Sequence, residues 1–328
     1  MVSTFKVETI CLFDEDHMYR RVFFLGAVLS ALANPVSGQQ EPDLDYRPVL
    51  EAPAYESGKG PRVAIDEAHH NFHTADGRYK PFAELLRRDG YQVRGLDSPA
   101  SPDSLNDVDV LVIANPLHER NREDWSLPTP SAFTAEEISA IRAWVEKGGS
   151  LFLILDHMPF PGAGGDLASA FGVRFSNGFA VRKSGGNPAP LIFRRDTGGL
   201  AESAVTEGCM DRERVTEAAT FTGSAFMPPK DAIPVLVFNG NYESLTPDTA
   251  WQFTAATPRQ PLDGWCQGAV MKTGGGRVAV FGEAAMFTAQ LAGIQRQKTG
   301  MNSPEASQNH QLLLNVMHWL TRAKGLTE

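Results

Sequence analysis

Short, almost continuously apolar runs recur along this chain, separated by turn residues. They lie at residues 63–65, 108–114, 150–155 and 276–281, with a less apolar segment of the same kind at 91–93. Runs with no polar alternation have no solvated face, which is typical of parallel strands buried between two layers of helices. The pattern therefore predicts a mostly parallel sheet.

Helical spacing of apolar residues fills the intervals between several of these strands. Amphipathic patterns predict helices over residues 79–89, 134–147 and 307–324. The second helix is marked at both ends, because Thr134 and Glu137 form a capping box and a glycine pair follows its last turn. Strands that alternate with helices predict an α/β fold with a doubly wound, flavodoxin-like sheet.

The alternation is interrupted between residues 176 and 275. This segment is rich in Gly, Pro, Thr and Phe and contains only short β-like runs, so it predicts a β-rich insertion of antiparallel strands and loops. The α/β domain is then expected to consist of residues 62–175 and 276–328. Before it, residues 39–61 carry several Pro and Gly without periodicity and predict an extended linker.

A signal-peptide pattern precedes the linker. Two arginines are followed by an apolar run at residues 22–33 and then by small residues. Residues 1–38 are therefore predicted to be an extension followed by a signal peptide from about Met18 to Gly38, and the mature protein to be periplasmic or secreted. The alternative is a membrane anchor, but this run is shorter than the roughly 18–20 residues that span a bilayer.

The net charge restricts the expected binding partners, and the number of cysteines bears on whether a disulfide forms. With 30 basic and 39 acidic residues, the net charge of −9 repels phosphate backbones, so nucleic acid is not an expected partner. Cys11 falls in the predicted cleaved segment, which leaves Cys209 and Cys266 in an oxidising compartment. A disulfide between these two is predicted, and two free thiols are the alternative.

Polar residues follow the predicted strands where each strand ends. In open parallel sheets the ligand crevice lies outside the carboxyl ends of the strands, so residues from distant parts of the sequence meet there. The ligand-binding candidates are Asp66, His69, His70, His73, Asn115 and His118. The catalytic candidates are Asp156, His157 and Glu283.

Several of these residues have a structural alternative. Asp66 is also placed to cap the turn that follows its strand, and His118 to form a surface pair with its acidic neighbour. His69 and His73 are spaced for one helical face, which suits a divalent metal, whereas a solvated histidine-rich loop is the alternative. Beyond that metal, no cofactor is expected.

Four segments together resemble class I glutamine-amidotransferase-like domains. They are residues 63–69, 109–115, 144–154 and 276–283. Within that superfamily the sequence is similar to an exported branch that includes auxiliary domains of gliding-type ABC transporters and trehalose-utilisation-like proteins. The resemblance implies an amidotransferase-like α/β fold.

The chain departs from that family at the catalytic elbow. Amidotransferases carry a nucleophilic cysteine after the strand that follows the glycine pair, and here Asp156 and His157 hold that place. Neither Cys209 nor Cys266 follows a core strand, so thiolate chemistry has no candidate nucleophile at the elbow. The resemblance therefore implies the fold without glutamine amidotransferase activity.

Two classes of function remain open at this stage. A binding module would hold a small polar ligand such as a carbohydrate, against aromatic residues that include Phe72, Trp125 and Phe160. A periplasmic hydrolase or lyase would use Asp156 and His157 for acid–base chemistry, with or without a metal. A protein of the cell envelope is a further candidate partner, and no membrane span is expected in the mature protein.

Overall fold

The computed structural model describes residues 40–183 and 190–326, so the predicted extension and signal peptide lie outside the described residues. None of the helices in the described ranges has the length and apolar character needed to cross a membrane. The α-helices are α1 (Lys80–Arg88), α2 (Ala135–Glu146), α3 (Phe160–Ala163), α4 (Gly165–Ala170), α5 (Ala204–Glu207) and α6 (Asn309–Thr321).

The strands are short and are distributed over one large sheet and three small ones. In chain order they are β1 (Gln40–Pro42), β2 (Arg62–Asp66), β3 (Gln92–Leu96), β4 (Val110–Ala114), β5 (Ser150–Ile154), β6 (Arg174–Phe175), β7 (Phe179–Arg182), β8 (Leu191–Arg194), β9 (Glu217–Thr220), β10 (Phe226–Met227), β11 (Ile233–Val237), β12 (Tyr242–Leu245), β13 (Arg259–Pro261), β14 (Cys266–Thr273), β15 (Gly276–Phe281), β16 (Ala289–Ala292) and β17 (Gln297–Gly300).

The central sheet has the order β3-β2-β4-β5-β15-β14-β10-β6, with β11 also paired to β14. The first five strands in this order run parallel, and Ala114, Ile154 and Phe281 stand beside one another at their carboxyl ends. Every residue of β4, β5 and β15 is buried, as expected for strands covered on both faces. The prediction of a mixed α/β fold with a mostly parallel central sheet is confirmed.

Helices cover both faces of this sheet. On one face, Phe82 of α1 and Trp319 of α6 pack over strand residues such as Phe152. On the other face, Ile141 of α2 packs with strand residues such as Leu153. Alternate residues of each strand therefore enter two separate hydrophobic clusters, which is why continuous apolar runs form these strands.

The order of the strands places a crevice between β2 and β4. After β2 the chain passes to β3 on one side, and it then returns to β4 on the other side of β2. The loops after β2 and β4 meet at the carboxyl edge, where the Phe72 N–H donates to the Asn115 carbonyl at 2.9 Å and the Leu117 N–H donates to the His69 carbonyl at 2.8 Å. Such a reversal of direction is where open α/β sheets bind ligands.

Antiparallel strands from residues 174–273 extend the central sheet beyond β15. They are β14, β10, β6 and β11, whereas β7, β12 and β13 form one small sheet and β8 and β9 another. Part of the predicted β-rich insertion is thus continuous with the central sheet.

The predicted disulfide between Cys209 and Cys266 is wrong, because both thiols are free in the structure. Cys266 begins β14 and is buried in the cluster on the α2 face, where burial raises the pKa of its thiol to about 12. Cys209 is exposed, and its thiol donates to the carbonyl of Lys324, just beyond α6 on the opposite face. The sheet therefore lies between the two sulfur atoms, which sequence spacing alone does not reveal.

The segment predicted as an extended linker begins as a short strand and continues as loops, bends and turns over residues 43–61. Its first residues form β1, which pairs antiparallel with β16 in a small sheet of β1, β16 and β17. Further along, the Ala54 N–H donates to the Asp89 carboxylate at 2.7 Å. These contacts attach the segment to two distant parts of the domain.

Candidate functional site

Asp66 at the end of β2, His69 and Glu137 of α2 form one buried hydrogen-bonded group. His69 Nδ1 lies 2.8 Å from Asp66 Oδ2, and His69 Nε2 lies 2.9 Å from Glu137 Oε1. The Asn71 amide donates to Asp66 Oδ2 at 2.9 Å. Glu137 Oε2 accepts the Thr134 N–H at 2.9 Å within the predicted capping box. This group, here called the His69 network, ties the loop after β2 to the start of α2.

The His69 network holds one imidazole ring between two carboxylates. Burial acts to lower the pKa of His69, but the hydrogen bonds and charges of Asp66 and Glu137 outweigh it and raise that pKa above 6.5. Burial acts to raise the pKa of Glu137, whereas the Thr134 N–H and the His69 ring lower it overall. These shifts describe an imidazolium held between two carboxylates. Both ring nitrogens of His69 are occupied, so the ring has no atom left for a ligand.

Asn115 joins the end of β4 to the neighbouring loops. Its backbone is left-handed, with φ +52°, a conformation that asparagine tolerates better than most residues. Its side-chain oxygen accepts the Asp156 N–H at 2.9 Å, and its amide nitrogen lies 3.3 Å from His73 Nδ1. Asn115 therefore holds the loop after β2 and the end of β5 in fixed positions.

His73 is fully buried beside Tyr79, with ring centroids 4.6 Å apart. Burial, followed by the charges of Arg78 and His157, holds the pKa of His73 well below 6.5. The side chain of Gln290 lies 3.5 Å from His73 Nε2. The lowered pKa describes His73 as a neutral ring in the interior, close to Arg78 and His157.

Asp156 and Glu283 are two acidic side chains that interact electrostatically at the ends of β5 and β15. Burial first, and then the charge of Asp156, raise the pKa of Glu283 well above its usual range. Glu283 accepts the Ala285 and Met286 N–H groups at 2.9 and 2.7 Å. Asp156 Oδ1 accepts the His157 N–H at 2.7 Å, so this carboxylate also shapes the turn after β5. Glu283 is thus an enclosed carboxyl group whose pKa is raised and whose oxygens accept backbone N–H groups.

His157 has one ring nitrogen in a hydrogen bond to the backbone and the other without one in the described residues. Its Nδ1 lies 2.7 Å from the Met158 carbonyl, so Nδ1 donates its proton there. The ring stacks on Phe179, with centroids 4.7 Å apart and an interplanar angle of 10°. Among residues 40–183 and 190–326, no side chain hydrogen-bonds to its Nε2. In this tautomer Nε2 is an acceptor for a donor supplied from outside.

Aromatic side chains surround His157. Trp251 meets its ring edge to face at 4.6 Å, and Trp125 and Phe160 lie 5.9 and 5.7 Å away. Phe72 adjoins both, at 5.6 Å from Trp125 and 5.7 Å from Phe160. Trp251 keeps 51% of its surface exposed. We call Phe72, Trp125, Phe160 and Trp251 the aromatic rim. Trp251 is its most exposed member, whereas Phe160 is buried.

His70 and His118 lie apart from these buried groups. His70 Nε2 forms an exposed ion pair with Glu119 Oε2 at 2.7 Å. His118 Nδ1 accepts the Arg120 N–H at 3.0 Å and caps a short 3-10 turn. The acidic neighbour of His118 thus pairs with His70. Neither histidine contacts the His69 network or the aromatic rim by a hydrogen bond or ring contact in the described residues.

Sequence reasoning missed some residues of this edge. Glu137 had a recognisable signal as a capping-box residue, but nothing in its position along the chain indicated that its carboxylate reaches His69. Arg78 and Trp251 had no signal, because they lie in loops whose placement depends on tertiary contacts.

The described residues contain no group of three or more His, Cys, Asp or Glu side chains placed to hold a metal ion. Two cavities lie away from the carboxyl edge. One, of about 210 Å³, is lined by Leu50, His310 and Lys324 among others, and one of about 480 Å³ is bordered by Trp144 and Ser150 at the amino ends of the strands. The candidate site is therefore defined by the side chains at the carboxyl edge and not by either of these cavities.

Comparison with known proteins identifies the fold. No family model and no curated protein matches the sequence. Among solved structures, the mmIFT52 N-terminal domain matches with a TM-score of 0.56 and 17% identity, over 80% of this chain and 98% of that domain. The chain therefore shares the mixed α/β fold of that domain.

Weaker similarities accompany that match. A putative ThuA-like protein from Bacteroides uniformis matches with a TM-score of 0.43 and 12% identity, over 85% of this chain and 96% of its own. A putative GMP synthase protein from Thermoplasma acidophilum matches with a TM-score of 0.40 and 10% identity, over 78% of this chain and 91% of its own.

Proposed function

We propose that this chain is an amidotransferase-like domain that binds a polar ligand of the carbohydrate class at the carboxyl edge of its sheet. The observation that carries the proposal is His157, whose ring is fixed by Met158 and Phe179 while Nε2 is left for an external donor. Sugar rings combine apolar C–H faces with hydroxyl donors, and the aromatic rim beside an imidazole acceptor fits both features.

The same site supports the proposal that the chain has no glutamine amidotransferase activity. His157 holds the place after β5 where the family resemblance expects a nucleophilic cysteine. Cys266 lies inside the sheet on β14, and Cys209 lies beyond the opposite face, next to Lys324. Without a thiolate at the strand end, a thioester with glutamine has no starting point.

A second candidate function is acid–base catalysis by a hydrolase or lyase. The pair of Asp156 and Glu283 favours it, because burial and the neighbouring carboxylate raise the pKa of Glu283 as in known acid catalysts. Binding is the better-supported function, since Glu283 is only 1% exposed and its oxygens accept the backbone N–H groups of Ala285 and Met286.

Binding is tested on a glycan array and by isothermal titration with the glycans that bind. We expect His157→Ala and Trp251→Ala to weaken binding at least about tenfold, which corresponds to about 1.4 kcal/mol. Met210→Ala is the matched control, because Met210 is similarly exposed but lies near Lys324, on the far side of the fold. Absence of any glycan binding by the wild type would overturn the proposal.

The bound glycan also decides between the two candidate functions. A binding protein returns it unchanged after prolonged incubation, as followed by mass spectrometry. Turnover by the wild type that is lost in Asp156→Asn would establish the enzyme instead.

Export is part of the proposal and is tested separately. A periplasmic or secreted location rests on the signal-peptide pattern up to Gly38. N-terminal sequencing of protein from its native source should find a start close to Gln39, and an intact Met1 on a cytoplasmic protein would contradict it. A protein of the cell envelope is a further proposed partner. Cross-linking of the exported protein in intact cells would identify it.

A further inference from the structure

Arg78 lies at the edge of the aromatic rim, and its guanidinium has no acidic partner among residues 40–183 and 190–326. Its Cζ lies 3.7 Å from the centre of the Phe72 ring, and its Nη1 donates to the Phe72 carbonyl at 3.4 Å. Its Nε is buried with no hydrogen-bond partner in the described structure. By contrast Arg87, on the neighbouring helix α1, pairs with Glu84 and donates to the Val93 carbonyl.

The position of Arg78 connects it with the candidate site. The Phe72 ring on which the guanidinium rests is itself part of the rim and adjoins Trp125 and Phe160. The charges of Arg78 and His157 both act on the pKa of His73, so the three groups lie in one electrostatic neighbourhood. The guanidinium therefore lies one aromatic ring away from Trp125 and Phe160, beside the surface proposed to hold the ligand.

A partly buried guanidinium without a counter-ion is costly for a folded protein. Burial lowers the pKa of Arg78, although arginine stays charged at any physiological pH. Contact with the Phe72 face compensates only part of the lost hydration. Because Nε is buried, a planar oxyanion would complete the site from the outer end of the guanidinium, where Nη1 and Nη2 can form two parallel N–H···O bonds with a carboxylate.

The negative groups nearby limit the charge that such a ligand can carry. Asp156, whose charge acts to raise the pKa of the buried Glu283, is a carboxylate that opposes an anion. Its oxygens already accept the His157 and Ala284 N–H groups, at 2.7 and 3.3 Å. One fixed positive charge, partly offset, suits a single carboxylate better than a doubly charged phosphate.

We infer that the ligand of the proposed site is an acidic sugar, a uronic acid within a glycan, and that Arg78 binds its carboxylate. The inference rests on the proposed function and adds to it the charge of the ligand and the residue that recognises it. His157 and the rim then contact the sugar ring, while Arg78 selects for the acid group.

The test compares pairs of oligosaccharides that differ only in oxidation at C6. Glucuronate- and galacturonate-containing glycans are titrated beside their glucose and galactose counterparts, together with a sugar phosphate. We expect the wild type to prefer the uronic acids at least about tenfold. In Arg78→Met that preference should fall to near unity, and Arg78→Lys should keep part of it. Arg62→Met is the control, because it removes the same charge from the amino end of β2.

The outcomes separate the inference from the proposed function. Equal binding of neutral and acidic glycans, or a preference that Arg78→Met leaves unchanged, overturns the inference while the glycan-binding proposal stands. Stronger binding of the sugar phosphate overturns the choice of a carboxylate. Failure of every glycan to bind overturns both, and thermal denaturation of each variant shows whether a loss comes from unfolding.

Discussion

His69 and His157 both follow buried parallel strands at the same edge of the sheet, yet their surroundings differ. His69 contacts a carboxylate through each ring nitrogen, and these contacts join a loop to a helix. His157 uses one ring nitrogen for a carbonyl of its own turn and lies among aromatic side chains. Residue type and strand-end position are therefore the same for a structural histidine and for a candidate ligand-binding one.

The two regions, the His69 network and the surroundings of His157, differ in whether their polar atoms all have partners within the described protein. A buried polar group whose donors and acceptors are all matched inside the protein contributes to folding, and separating its partners is expensive. A polar group with one unmatched atom next to accessible apolar surface retains an interaction for a ligand. The following predictions test whether the two regions differ in this way.

The largest expected effect is on stability, from His69→Ala. The substitution leaves Asp66 and Glu137 facing each other without the imidazolium, and breaking a buried ion pair costs about 3–5 kcal/mol. Urea denaturation should show that loss. His157→Ala, which removes the stack on Phe179 and the hydrogen bond to the Met158 carbonyl, should cost less, about 2 kcal/mol. Equal losses in the two variants would remove the distinction between the regions.

Asn115 links the two regions, and its replacement should have an intermediate effect. Asn115→Ala loses the hydrogen bonds to His73 and Asp156 and forces alanine into a left-handed backbone, so we expect about 2–3 kcal/mol of destabilisation. Asn115→Gly accepts the same φ and should be about 1 kcal/mol less destabilised. If alanine and glycine behave alike, the backbone conformation at this position is not as described.

The pH dependence of stability should isolate the His69 network. A raised folded-state pKa gives His69 a stabilising contribution that is fully present below its unfolded value of about 6.5 and is lost as the pH rises through the folded value. The difference in unfolding free energy between the wild type and His69→Gln should therefore shrink as the pH increases above about 6.5. Chemical denaturation at a series of pH values measures this difference in unfolding free energy. A difference that grows with pH would contradict a positively charged His69 between two carboxylates.

The smallest effect is expected at the surface. His70 and Glu119 form an exposed pair, and such pairs contribute less than about 1 kcal/mol. His70→Ala should therefore change neither stability nor glycan affinity beyond that amount. A clear loss of affinity in this variant would extend the site to the outer part of the loop after β2.

The sequence contained enough information to predict the central sheet. Strands β4, β5 and β15 are apolar at almost every position, because helices cover both faces, and the capping box at Thr134 marks the start of α2 correctly. Local signals of this kind depend only on neighbours in the chain. They do not reveal that β14 and β10 extend the sheet in antiparallel direction, or that a sheet separates Cys209 from Cys266.

The sequence predicted where the candidate site lies but not the role of each of its residues. Strand order brought Asp66, Asn115 and Asp156 to one edge, as the topology of parallel sheets requires. Their individual roles depend on contacts across the fold, such as the one between His69 and Glu137, which are far apart in sequence. A hydrogen-bond partner that is distant in sequence leaves no periodic pattern. The sequence therefore could not distinguish His69, whose ring nitrogens are both hydrogen-bonded, from His157, which has one ring nitrogen without a partner in the described residues.

Strand β1 has a consequence for the order in which this chain can fold. Its pairing partner β16 is synthesised almost a whole chain length later, so the first described residues to leave the ribosome cannot take their final place until nearly the last have emerged. Pairing at such sequence separation closes a very large loop and is slow to form. Strand β1 therefore stays without this pairing until β16 has been synthesised, and its attachment is among the late events that complete the native domain.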